Sequence, residues 1–118
     1  MQIQLLKSKL HRARLTECRL DYEGSLGIDQ DIMDAVGIVP GEKLLVVNQN
    51  NGERLETYAI PETCGSRTFC LNGAAARKGE PGDIVIVMAF ASMTPDEARG
   101  FVPSVAVLDE TNEIVERR

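Results

Sequence analysis

Apolar residues recur along this chain in short runs of four to seven positions separated by turn residues, a spacing that predicts strands rather than long helices. Gln2 to Leu6 opens a strand-like segment, and in the extended stretch that follows Lys7, Lys9 and His11 share one face as a cationic row. Thr16 to Tyr22 reads as a strand, after which the chain breaks at Gly24-Ser25 and Gly27. Asp29 is a suitable N-cap for a short helix through Val36, with Ile28 and Met33 placed for a hydrophobic staple and Gly37 as the stop. Ile32, Met33 and Val36 form its apolar stripe and are expected in the core. Val39 to Glu42 is a turn, Leu44 to Val47 a short buried strand, and Asn50-Asn51-Gly52 a hairpin turn whose residues tolerate positive φ. In the returning strand, Arg54 to Ile60, Arg54, Glu56 and Tyr58 share one face while Leu55, Thr57 and Ala59 share the other.

Pro61 to Arg67 reads as a loop and Thr68 to Leu71 as another strand. Asn72-Gly73-Ala74-Ala75-Ala76 follows, where small side chains let a ligand approach the backbone, although three alanines equally suit a helix start. Ile84 to Phe90 is the most apolar strand and is expected at the centre of the core. Thr94-Pro95-Asp96-Glu97 matches a capping box with Pro at N1, predicting a helix from Pro95 to Gly100, and a last strand covers Ser104 to Leu108. The polar tail from Asp109 to Arg118 is expected to be loosely held. Many short strands with two short helices imply a mainly β barrel, and the 118 residues fit a single domain spanning 1–118.

Composition narrows the function classes. A net charge of −5 argues against non-specific nucleic-acid binding, which needs cations to displace phosphate counterions. Cys18, Cys64 and Cys70 are odd in number and lack C-x-x-C spacing, so neither a disulfide framework nor a zinc site is expected. No run of about 18 apolar residues and no signal-peptide pattern occurs, and a cytoplasmic protein without membrane partners is the expectation.

One dipeptide bears on chemistry: at Gly24-Ser25 a carbonyl free of side-chain crowding lies next to a hydroxyl that can attack it. Gly-Ser is also an ordinary turn pair. Its context decides between these readings. The words KLHRARLT (Lys9 to Thr16), DYEGS (Asp21 to Ser25), IDQD (Ile28 to Asp31), NGERLETYAI (Asn51 to Ile60), GSR (Gly65 to Arg67), NGAAA (Asn72 to Ala76) and GDIVI (Gly82 to Ile86) follow one another across nearly the whole chain. In this the sequence resembles the aspartate 1-decarboxylase family, bacterial pyruvoyl-dependent enzymes that make β-alanine for pantothenate. Val46-Val47-Asn48 departs from members that carry an aromatic beside the Asn, and Arg77-Lys78 lies where members vary.

The resemblance implies a double-psi β-barrel with short helices, assembled as a homotetramer with active sites between subunits. It implies self-cleavage between Gly24 and Ser25 into chains 1–24 and 25–118, with Thr57 polarising the Gly24 carbonyl and Ser25 becoming a pyruvoyl group that forms a Schiff base with L-aspartate. Tyr58 is the implied proton donor. Arg54 and Lys9 are expected to bind the carboxylate retained in the product, with Thr57, Asn72, Gly73, Ala74 and Ala75 completing the substrate contacts. His11 and Tyr22 are expected in support. Neither metal nor pyridoxal phosphate is required, and an accessory maturation factor remains open. Two alternatives stand beside this reading: a non-catalytic small β-barrel binding module, and a pyruvoyl decarboxylase acting on another amino acid.

Overall fold

The structure, a computed structural model, describes residues 1–118. Nine strands form in chain order: β1 (Ile3–Arg14), β2 (Glu17–Arg19), β3 (Ser25–Asp29), β4 (Lys43–Asn48), β5 (Arg54–Glu62), β6 (Phe69–Asn72), β7 (Ile84–Met93), β8 (Ser104–Leu108) and β9 (Ile114–Arg117). Helices α1 (Gln30–Val36) and α2 (Pro95–Ala98) and a 3₁₀ segment, Gly73–Lys78, complete the chain. The strands join in the order β2-β6-β3-β5-β4-β7-β1-β8-β9 and curl around one hydrophobic core. Most pairings are antiparallel, but β1–β8, β3–β5 and β2–β6 are parallel. Parallel pairs need crossover connections, which a double-psi barrel has and an up-and-down barrel lacks. The molecule is mainly β, as the apolar spacing predicts.

Alternation in β1 changes phase partway. Ser8 and Leu10 are buried, but beyond a register shift so are Ala13 and Leu15. Arg12, with φ at 67°, supplies the extra residue, and the bulge lets one strand serve the core on both sides of a bend. Lys9 and His11 are half-buried between this bulge and an earlier register shift in which Lys7, also half-buried, is the extra residue.

Helix α1 starts and stops where its sequence signals lie. The Asp29 carboxylate accepts from Asp31 N, and Gly37 closes the helix at φ 74°. Lys7 Nζ donates to the Gly37 carbonyl at 2.8 Å and Ser8 Oγ to the Val36 carbonyl at 2.6 Å, so β1 satisfies the last helical carbonyls. Thr94 and Glu97 form the expected capping box, although α2 ends at Ala98.

Two expectations need correction. The break expected at Gly24-Ser25 and Gly27 is instead the start of β3, buried along its whole length between β5 and β6. Gly27 occurs there because the Glu62 side chain occupies the space a Cβ would take. The NGAAA alanines begin the 3₁₀ segment, in line with the helix start that three alanines suit. The tail from Asp109 to Arg118 is anchored: β9 pairs with β8, and buried Asn112 accepts from Arg14 N at 2.7 Å while its amide donates to the Arg14 and Arg67 carbonyls, each at 2.9 Å. Polar composition is misleading here because Asn112 faces main-chain groups instead of water. No helix is long and apolar enough to cross a membrane.

Candidate active site

Ser25 is the first residue of β3, directly opposite Asn72 at the end of antiparallel β6. Its side chain is 1% exposed, although the preceding residues from Leu20 to Gly24 all reach the surface. The Asn72 amide, itself fully buried, donates from Nδ2 to Ser25 Oγ at 3.0 Å. Ser25 Oγ has one further long contact, 3.5 Å to the Glu23 carbonyl. A buried hydroxyl is thus held by a neutral donor, beside a peptide that belongs to an exposed turn.

Gly73 shapes that turn. At φ 70°, it lies so close to the chain opposite that a Cβ would fall 2.7 Å from the Tyr22 carbonyl and 2.8 Å from both Gly24 Cα and Gly24 N. Only glycine fits such a contact without displacing the backbone. Gly24 itself is less constrained: a Cβ there would meet only the Asn72 carbonyl, at 4.0 Å, and its φ lies outside the positive region. The backbone constraint at this turn therefore falls on Gly73.

Gly24, Thr57, Tyr58, Ala74, Ala75 and Lys78 border one open groove of about 430 Å³. Thr57 belongs to the half-buried face of β5, whereas Tyr58 is 40% exposed. The groove therefore gathers the Gly24 end of the Gly24-Ser25 peptide, a hydroxyl, a phenol and the start of the 3₁₀ segment. Lys78 is its cation and is paired with Glu53 at 2.6 Å. No sequence signal separates Lys78 from an ordinary surface lysine.

Other expected residues lie elsewhere in the single chain. Lys9 faces Met88, Met88 faces Leu45 and Leu45 faces Glu56, so one lateral row of four strands separates Lys9 from β5. At the usual strand spacing that is about 14 Å between the outer backbones. Arg54 opens β5, exposed and outside the groove. His11 pairs with Val107 on the β8 side, with Nδ1 buried and unpartnered. Burial lowers its pKa first, and the nearby Lys9, Arg12 and Arg118 lower it further. Tyr22 is 54% exposed, with the Arg19 guanidinium 5.9 Å from its ring centroid.

Cys70 joins the site without having been expected there. Its Sγ donates to Asn72 Oδ1 at 3.2 Å, extending the Ser25–Asn72 pair by one member. The i, i+2 spacing of Cys70 and Asn72 on a strand was the available signal, since it puts both on one face. Burial raises the thiol pKa, with Glu17, Glu62 and Cys18 adding to it against the opposing Arg19, so the sulfur keeps its proton. No group of three or more His, Cys, Asp or Glu side chains is arranged to hold a metal ion.

Comparison with known proteins gives this geometry a context. The family described as aspartate decarboxylase matches residues 1–115. Aspartate 1-decarboxylase of Salinibacter ruber is 54% identical over 118 residues, covering 100% of this chain and 81% of that protein. The protein of the same name from Porphyromonas gingivalis is 53% identical over 116 residues, 98% of each chain. That of Shouchella clausii is 55% identical over 112 residues, 95% of this chain and 88% of its own. With a family match over almost its whole length and such identities, this chain belongs to the aspartate decarboxylase family.

Proposed function

We propose that this chain is a self-processing aspartate 1-decarboxylase, a carboxy-lyase that converts L-aspartate to β-alanine and CO2 for pantothenate biosynthesis. The observation that carries the reading is the buried Ser25 hydroxyl held by Asn72 Nδ2 at 3.0 Å, at the junction of the exposed turn and β3. Ser25 Oγ adds to the Gly24 carbonyl and exchanges the peptide bond for an ester. Thr57, which borders the same groove as Gly24, donates a hydrogen bond to the oxyanion that develops. Loss of the ester as the Gly24 carboxylate then leaves residue 25 as the precursor of a pyruvoyl group. The site fits that group, because the Asn72 donor that meets a hydroxyl oxygen also suits a carbonyl oxygen.

Once formed, the pyruvoyl group supplies an electron sink for departure of the substrate's α-carboxylate. Tyr58, bordering the groove, donates the proton that replaces it. Backbone N–H groups of Gly73, Ala74 and Ala75, with Asn72, contact the substrate without side-chain entropy loss. Arg54 and Lys9 bind the retained carboxylate. Lys9 lies three strand spacings from β5 within its own chain, which supports a homotetramer with sites between subunits, where a neighbouring copy supplies the lysine. Three free thiols suit a reducing cytoplasm.

Denaturing mass spectrometry of fully matured protein tests the reading. The expected masses are those of residues 1–24 and of residues 25–118 with a ketone replacing the serine amine, together with CO2 release from L-aspartate. An intact chain that releases no CO2 would leave a non-catalytic barrel as the answer. Release from glutamate or neutral amino acids in place of aspartate would move the protein to another substrate.

A further inference from the structure

We propose that Cys70 is a positioning residue for self-processing: its thiol fixes the orientation of the Asn72 amide, so that Nδ2, and not Oδ1, faces the Ser25 oxygen when the ester breaks. This rests on the self-processing reading above. Three buried side chains form the series, with Cys70 Sγ donating to Asn72 Oδ1 at 3.2 Å and Asn72 Nδ2 donating to Ser25 Oγ at 3.0 Å. All three residues are at most 1% exposed, so water does not compete for the contacts.

The serine hydroxyl does not itself choose the amide orientation. Before reaction it can accept from Nδ2 or donate to Oδ1, since a hydroxyl does both. The thiol chooses, because S–H is a donor and sulfur a poor acceptor; turning the amide would set Nδ2–H against S–H and lose that bond. Burial keeps the thiol protonated and hence a donor.

Orientation becomes decisive after the acyl shift. In the ester, Oγ carries the Gly24 acyl group, has no hydrogen and can only accept. Elimination removes the Ser25 Cα proton to water, the C–H electron pair becomes the Cα=Cβ double bond, and the Cβ–Oγ bond breaks. Oγ keeps that bond's electrons and departs as part of the Gly24 carboxylate. Negative charge therefore develops on the oxygen that Nδ2–H already meets, where an oriented donor has most effect. A turned amide would oppose it with the lone pairs of Oδ1. The step that depends on Cys70 is elimination, more than the first attack.

The test compares pairs that differ in a donor while matching in size: Cys70→Ser against Cys70→Ala, and Cys70→Thr against Cys70→Val. Each purified full chain is incubated, and samples are denatured with and without hydroxylamine, which cleaves the ester and releases a 25–118 fragment that still begins with serine. Wild type should pass to the ketone-bearing fragment with little ester, and so should the hydroxyl variants, because once the ester leaves Oγ able only to accept, a hydroxyl at position 70 still supplies the donor that Asn72 Oδ1 needs in the productive orientation. The Ala and Val variants should accumulate hydroxylamine-sensitive ester and form the ketone about tenfold more slowly, a smaller loss than the 10²–10³ that follows direct removal of an oxyanion donor. Equal ester levels and equal rates within a folded pair overturn the role of Cys70, and the second pair decides if a member of the first does not fold. Failure of wild type to cleave at all refutes the self-processing reading instead.

Discussion

At the residue scale, the site depends on where backbone approaches backbone. Gly73 holds a left-handed conformation with the Tyr22 carbonyl and Gly24 backbone against it, whereas the position of Gly24 has room for a side chain. Gly73→Ala should therefore destabilise the chain by about 1–3 kcal/mol and slow cleavage more than Gly24→Ala does, measured by melting and by the time course of fragment appearance. Equal slowing in both variants would assign the constraint to Gly24 after all. Tyr58→Phe keeps the ring and removes the proton; it should leave the chain fully cleaved but lower kcat by about 10²–10⁴-fold. Normal turnover of the cleaved variant would release Tyr58 from the proton-donor role. The Gly24-Ser25 pair was legible in the sequence only through the surrounding words. Asn72 opposite Ser25 could not be read from spacing, because antiparallel register between strands 47 residues apart leaves no local pattern.

At the element scale, β3 links the site to the rest of the barrel. It begins at Ser25 and ends at Asp29, a fully buried carboxylate that caps α1 and also accepts from Gly65 N, Arg67 N and Arg67 Nη1. Burial alone raises the Asp29 pKa, but the backbone donors of Arg67, Asp31 and Gly65 and the Arg67 side chain outweigh it, and the net shift is downward. A depressed carboxylate pKa contributes stability that is present above the unfolded value, about 3.9, and lost as pH falls through the folded value. Thermal unfolding between pH 6 and 2 should show this acid-side loss, and Asp29→Asn should flatten it while costing about 2 kcal/mol at neutral pH. An unchanged acid limb in that variant would transfer the effect to other carboxylates. Helix α1 was legible to the residue because N-cap, staple and stop are local signals. Strand β3 was not, since Gly27 reads as a breaker until the Glu62 side chain beside it is known.

At the scale of the whole molecule, distant segments are tied by a few buried polar groups. Asn112, at φ 61°, fastens the turn between β8 and β9 to Arg14 and to the Arg67 loop that also holds Asp29. Asn112→Ala should cost about 2 kcal/mol and speed amide exchange in both β9 and the 63–67 loop. Faster exchange in β9 alone would show that the two are not coupled. The barrel's strand content was legible from short apolar runs, but the anchored tail was not, because the partners of Asn112 lie far away in sequence. The place of β1 has one more consequence. It lies between β7 and β8, so a cut after Gly24 puts an interior strand on a different polypeptide from both its neighbours. Folding then changes molecularity: the uncut chain finds its barrel in a first-order search, but the processed one must recover a 24-residue peptide from solution by a collision that slows on dilution. Self-cleavage would leave the native contacts in place and yet make their formation a single historical event, preserved afterwards by slow unfolding more than by ready return.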